Sequence, residues 1–115
     1  MAAVKADAYG HGAKQSSRVF LENGADRLGV ATLSEGLELR LASVDAPILN
    51  LGYTPVDQYE ILIRNHVSAS IYNLNHARVL NETAERLGET AIIHVKITPV
   101  WDASASSPTA TLFVL

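Results

Sequence analysis

The chain has 115 residues, 48% of them hydrophobic and 18% charged, enough for one small globular domain with a modest core. A net charge of −3 and the lack of any basic stripe argue against a general attraction to nucleic acid or to an anionic membrane. There is no cysteine, which excludes disulfides and thiolate metal sites. No export-leader pattern and no run near the roughly 18 apolar residues of a membrane span is visible, so the expected compartment is the cytoplasm.

Short apolar runs alternate with longer stretches of helical period, the pattern of βα units on a parallel sheet. Strands are predicted near residues 2–5, 27–31, 47–51, 67–71 and 91–97. The first helix, over 13–23, ends at Gly24, a residue type favoured just past a helix. Thr32 and Glu35 form a capping box for the second, whose Leu33, Leu37 and Leu41 repeat every four residues as one apolar stripe. Thr54 followed by Pro55 predicts an N-cap for the third, with Val56, Tyr59 and Ile63 on one face. The fourth presents Ala77, Leu80, Ala84 and Leu87 and closes at Gly88. Five strands and four helices make about four and a half βα units, whereas a closed barrel needs eight strands and typically about 250 residues.

Chemistry concentrates near the start. Lys5 ends an apolar run, Tyr9 follows four residues later, and Gly10 and Gly12 flank His11. A lysine at a strand end can be desolvated, and its amine can then condense with an aldehyde. Read alone, Lys5 is more often a solvated surface charge, Tyr9 is equally a rim aromatic, and His11 is more often an exposed loop residue than an acid/base group. The glycines allow a sharp turn there. His66, His76 and His94 have no mutual spacing of a metal site, and Asp26, Asp57 and Glu60 read as solvated charges flanking helices. Neither a Ser/His/Asp arrangement nor a P-loop is present.

The string Ala3-Val4-Lys5-Ala6-Asp7-Ala8-Tyr9-Gly10-His11-Gly12 closely resembles the cofactor-lysine motif of the alanine racemase family. The resemblance continues through Gly24-Ala25-Asp26-Arg27-Leu28-Gly29-Val30-Ala31, Glu35-Gly36-Leu37-Glu38-Leu39-Arg40, Ala46-Pro47-Ile48-Leu49-Asn50-Leu51-Gly52-Tyr53 and His94-Val95-Lys96-Ile97. It implies an α/β fold, here part of a (β/α)8 TIM barrel over residues 1–97, and a pyridoxal 5′-phosphate isomerase that interconverts L- and D-alanine as a homodimer. By the same resemblance Lys5 holds the cofactor and serves as one of two acid/base groups, Tyr9 hydrogen-bonds the cofactor phosphate, and Leu51 lies beside the cofactor. Lys96 matches a lysine carbamylated in many members, where it orients an arginine. That arginine, the second base and most of the family's phosphate-binding loops have no counterpart here, which implies that this chain alone is inactive.

After Ile97 the resemblance stops. Where the family continues Asp-Thr-Gly-Met-Gly-Arg-Leu-Gly-Phe, this chain reads Thr98-Pro99-Val100-Trp101-Asp102-Ala103. Writing the family segment in synonymous codons and deleting its first base yields a translation matching Thr98 through Ser106. A frameshift immediately after Ile97 is therefore expected, leaving 98–115 as a divergent tail without a stable fold. The start also reads as cut, with Met1 an internal methionine opening directly on the first strand.

Two alternatives share the strand–helix alternation. One is a flavodoxin-like or receiver-like α/β binding module, although a receiver would carry acidic residues where Lys5 and Leu51 stand. The other is a barrel protein of pyridoxal-phosphate homeostasis, which shares a cofactor lysine but not the Ala-Tyr-Gly-His-Gly continuation.

Overall fold

The computed structural model describes residues 1–96 together with the backbone of Thr111–Leu112. Five strands lie parallel in chain order: β1 (Ala2–Ala3), β2 (Leu28–Val30), β3 (Ile48–Asn50), β4 (Val67–Ile71) and β5 (Ile93–Lys96). Ala2 pairs with Leu28, Leu28 with Ile48, Ile48 with Val67, and Ala69 with Ile93. This strictly sequential order is that of a barrel wall. A flavodoxin-like sheet, ordered 2-1-3-4-5, reverses its strand order at a switch point, and among the described strands the order never reverses, which removes that alternative.

Each crossover carries one principal helix: α1 (Ala13–Glu22), α2 (Leu33–Leu41), α3 (Tyr59–Arg64) and α4 (Leu74–Leu87). Among the most buried residues are Val4 just after β1, Leu28 and Val30 from β2, Ile48, Val67 and Ala69 from the next two strands, and Leu39, Tyr59, Leu62 and Leu80 from the helices. Burial on this scale is the principal favourable term holding the layers together. Every residue of β2, β3 and β4 is buried, as expected of interior parallel strands.

Several local expectations shift. The capping box at α2 forms as read: Thr32 Oγ1 accepts from the Glu35 amide, and the Glu35 carboxylate accepts from the Thr32 amide. Its apolar stripe, however, is Leu33, Gly36 and Leu39, with Leu37 partly buried and Leu41 86% exposed. Eight residues along a 3.6-residue helix, Leu41 has rotated away from the buried face. Thr54 does not cap the third helix. It is buried and accepts from Asn50 Nδ2 at 2.7 Å, and a 3₁₀ turn over Val56–Gln58 precedes α3. Tyr59, Leu62 and Ile63 form the buried face while Val56 stays exposed. For α4, Asn73 Oδ1 accepts from the His76 amide at its start and Gly88, at φ +66°, follows its end.

The first strand is shorter than expected, because the chain turns away at Lys5 instead of extending. The last begins at Ile93, although the Ala69 amide still bonds Ile92 O. In the region expected to lack structure, Thr111–Leu112 form a further strand, β6, antiparallel to β5. Antiparallel main-chain bonds along an exposed strand edge need no particular side chains. Ile97 through Ala110 and Phe113 through Leu115, with the codon-shift reading of Thr98 to Ser106, lie outside the described residues.

Candidate active site at the carboxyl end of the sheet

Parallel strands all point the same way, so the residues following them gather at one edge, where barrel enzymes place their chemistry. Lys5 follows β1, Leu51 follows β3, Tyr72 follows β4, and Lys96 ends β5.

Directly after the buried Val4, the segment Lys5–Tyr9 coils into one helical turn of the wrong hand. Ala6, Asp7, Ala8 and Tyr9 have φ between +50° and +55°, and Gly10 and Gly12 follow at φ +86°. Left-handed helical geometry brings Cβ against the following carbonyl, at about 1–2 kcal/mol per L-residue, so four in succession cost on the order of 4–8 kcal/mol. That is comparable to the whole net stability of a small domain, about 5–15 kcal/mol, so the turn persists only because its surroundings impose it.

The fastenings are specific. The Ala8 amide donates to Val4 O at 3.0 Å, Gly10 to Ala6 O at 3.2 Å and Gly12 to Asp7 O at 3.0 Å. Asp7 Oδ1 accepts from the Ala13 amide at 2.7 Å, tying the turn to the first residue of α1. Glu35 reaches across from α2: Oε1 accepts from the Ala6 amide at 2.8 Å and Oε2 from the Ala31 amide at 2.7 Å. Ala8 is buried in the core, Lys5 is half-buried, and Tyr9 is 63% exposed. His11 is exposed as expected, its Nδ1 within 3.0 Å of Ala8 O.

Leu51, Tyr72 and Lys96 form a second group. The Leu51 amide donates to Val30 O at 2.8 Å, its side chain lies over Gly29, and its carbonyl accepts from the Tyr72 hydroxyl at 2.9 Å. Lys96 Nζ stands 5.4 Å from the centre of the Tyr72 ring, within reach of a cation–π attraction. Beneath them Asn50, fully buried, donates to Thr54, accepts from the Gly52 amide at 3.2 Å, and offers its carbonyl to Ser70 Oγ at 2.7 Å. Gly52 presses so close that a Cβ there would stand 2.2 Å from Ala31 O. At the rim the Tyr53 and His76 rings meet at a tilt of 44°, with their centres 5.2 Å apart.

Lys5 with Tyr9, and Leu51 with Lys96, therefore occupy one edge as two groups carried by different strands. Tyr72 was missed from sequence; applying the strand-end rule to β4, as to β1, β3 and β5, finds it. The reach of Glu35 was legible only as a cap, since its bond to Ala6 spans 29 residues of chain. Glu60 is more than a solvated charge: it bridges Arg64 and Arg86 at 3.1 and 3.2 Å, and these two guanidiniums hold its carboxyl below the usual range. Among the described residues no group of three potential metal ligands occurs, and no helix is long and apolar enough to cross a membrane.

Comparison with known proteins agrees with this geometry. An alanine racemase of Clostridium perfringens (strain SM101 / Type A) is 47% identical over 97 residues, covering 84% of this chain and 25% of the relative. The solved alanine racemase of Clostridium difficile 630, in complex with cycloserine, superposes with a TM-score of 0.82 at 46% identity over 84% of this chain and 26% of that one. A histidine racemase from Leuconostoc mesenteroides subsp. sake matches with a TM-score of 0.76 at 27% identity, over 81% of this chain and 25% of that one. The chain thus spans about a quarter of the length of the relatives it matches, and its parallel wall is part of their TIM-barrel domain. The family model described as "Alanine racemase, N-terminal domain" matches residues 1–98, and the chain belongs to that family.

Proposed function

We propose that this chain supplies the cofactor-lysine side of an alanine racemase, a cytoplasmic enzyme that interconverts L- and D-alanine and so provides D-alanine for peptidoglycan. The observation that carries this reading is the half-buried Lys5 at the carboxyl end of a parallel strand, on a strained turn that main-chain hydrogen bonds and two carboxylates lock in place. Enzymes hold such strained backbone where a side chain must be aimed. The similarity to curated alanine racemases at up to 47% identity supports alanine as the substrate. The histidine racemase at 27% has the same wall, so the choice of amino acid rests on contacts beyond it.

The residues fit pyridoxal 5′-phosphate. Lys5 offers the amine that holds it, the Tyr9 hydroxyl is exposed to donate to its phosphate, and Leu51 offers an apolar flank nearby. When bound, that group supplies an electron sink that makes the α-proton of an amino acid removable. Lys5 carries the proton on one face of the substrate, and a base on the opposite face, from the C-terminal domain of a partner subunit in a homodimer, carries it on the other. Lys96 is the carbamylation site. Its conversion to an anion would end the attraction to the Tyr72 ring and create a partner for an arginine. Residues 1–97 are the partial barrel domain, and 98–115 a tail read one base out of frame. That the family match ends at residue 98 supports this placement.

Borohydride reduction with pyridoxal phosphate, followed by peptide mapping, tests the site: the adduct is expected on Lys5, and an even spread over Lys14 and Lys96 refutes it. A coupled D-alanine assay with Lys5→Ala as control should find the 115-residue chain inactive. Five parallel strands do not close a barrel, and the opposite-face base is absent from these residues; positioned acid/base catalysis alone contributes roughly 10²- to 10⁴-fold. Lys5-dependent turnover would overturn that account. Sequencing the locus should reveal the family's downstream residues offset by one base.

A further inference from the structure

We propose that Glu35 is a positioning residue for the Lys5 amine, its carboxylate strapping the left-handed turn that carries Lys5 to the end of β2. The two oxygens are divided between two strand ends. Oε1 takes the amide of Ala6, the residue after Lys5, at 2.8 Å, and Oε2 takes the amide of Ala31, the residue after β2, at 2.7 Å. Ala6 is the first of the four left-handed residues, the point at which the chain departs from the sheet. Its amide therefore needs an acceptor that the ladder no longer offers, and the Glu35 side chain supplies it. The previous amide, Val4, still bonds Gly29 O at 2.9 Å in the parallel ladder.

The anchor of the strap is itself fixed. Glu35 sits in the first turn of α2, where the N-terminal end of the helix dipole favours a carboxylate. Thr32 Oγ1 accepts from its amide, and Gly36 beside it is buried against the sheet residues Val30, Ile48 and Val67. The carboxylate therefore has little freedom to follow the turn if the turn moves. Only an ionised carboxylate accepts on both sides. An amide presents one oxygen and one NH₂, and the NH₂ cannot accept a hydrogen bond from a main-chain N–H. In Glu35→Gln one of the two straps must break, with almost no change in side-chain volume.

The reading rests on Lys5 as the cofactor lysine only in its second readout, and the two readouts separate the ideas. The first is amide hydrogen exchange on the full 115-residue chain, with no cofactor present. Glu35→Gln is expected to accelerate exchange at Ala6 or Ala31 by roughly tenfold or more, while Leu28 and Ala69, held by sheet bonds, keep their wild-type rates. The second is the ratio of Lys5 to Lys14 labelling by pyridoxal phosphate and borohydride, expected to fall several-fold toward parity. Thr32→Ala removes the hydroxyl cap but leaves the carboxylate, so it should preserve most of the Lys5 selectivity.

Unchanged exchange at both Ala6 and Ala31 in Glu35→Gln overturns the proposal, even if wild-type Lys5 is labelled selectively. Acceleration spread equally over the sheet amides also overturns it, because Glu35 would then act through general stability. Thr32→Ala matching the labelling loss of Glu35→Gln assigns the effect to the helix cap and does the same. Wild type without Lys5 selectivity, but with an Ala6 amide that Glu35→Gln releases, sinks the cofactor-lysine reading and leaves the strap standing.

Discussion

The two ends of this sheet are tied down by charged side chains working in opposite ways. At the amino end Arg40, near the end of α2, donates to four main-chain oxygens: Nε to Asn65 O at 2.9 Å, Nη2 to His66 O at 2.9 Å, and Nη1 to Ala46 O at 2.9 Å and to Val44 O. It closes the segments that lead into β3 and β4. Burial pushes its guanidinium pKa below the ordinary value, and Asp45 opposes that shift. At the carboxyl end Glu35, near the start of the same helix, accepts from main-chain amides and holds a turn in a conformation it would not choose. Arg40 ties together connections with no helical strain to oppose, apart from the single left-handed residues Ser43 and His66. Glu35 restrains four in succession. One helix of nine residues thus carries the fold's bracket at one end and the site's strap at the other, matching the division in which the amino face of a barrel serves stability and the carboxyl face chemistry.

The comparison breaks most directly at Arg40. Arg40→Ala leaves several carbonyls to find water and is expected to lower unfolding stability by about 3 kcal/mol, measured by urea denaturation. Arg40→Lys should recover less than half, since one ammonium does not span four acceptors. A loss under about 1 kcal/mol in Arg40→Ala would show that the bracket is not what secures the amino end. Gly52→Ala tests the carboxyl end by crowding, its Cβ forced toward Ala31 O. It should cost about 1–3 kcal/mol and displace the Leu51 and Ala31 amide resonances more than those at the amino end; a neutral outcome would mean that this edge is loosely packed.

Asp7→Asn should have a smaller effect, about 1 kcal/mol or less, because an amide oxygen can still accept from Ala13, whereas Asp7→Ala should cost on the order of 1–2 kcal/mol. Equal losses in the two variants would remove the hydrogen bond as the cause. The smallest effect belongs to His94 on β5, between the two ends. Burial, then the charge of Arg27, pushes its pKa below the ordinary 6.5. Between that depressed value and 6.5 the unfolded chain binds more protons than the folded one, so stability is fully present above 6.5 and declines as pH falls below it. His94→Gln should flatten this part of the stability profile; an unchanged slope assigns it to other groups.

Most of the architecture was legible in the residues because it follows from local patterns. The strands that bring Leu51 and Lys96 to their carboxyl ends, the capping box at Thr32 and Glu35, and the stop at Gly88 each depend on neighbours a few positions away. Errors of face came from the same source: spacing by fours placed Leu41 in the core, and the rotation of a 3.6-residue helix put it in solvent. Thr54, read as a cap, went to Asn50, because a buried amide without a partner costs more than a helix end left to water. The motif around Lys5 named the site, but no propensity of Ala6, Asp7, Ala8 or Tyr9 favours left-handed backbone over an extended strand. That conformation was decided by the tertiary structure, with a carboxylate 29 residues away accepting the Ala6 amide once the chain has left the sheet, and the local bonds of Asp7 and the turn's own main chain following from it.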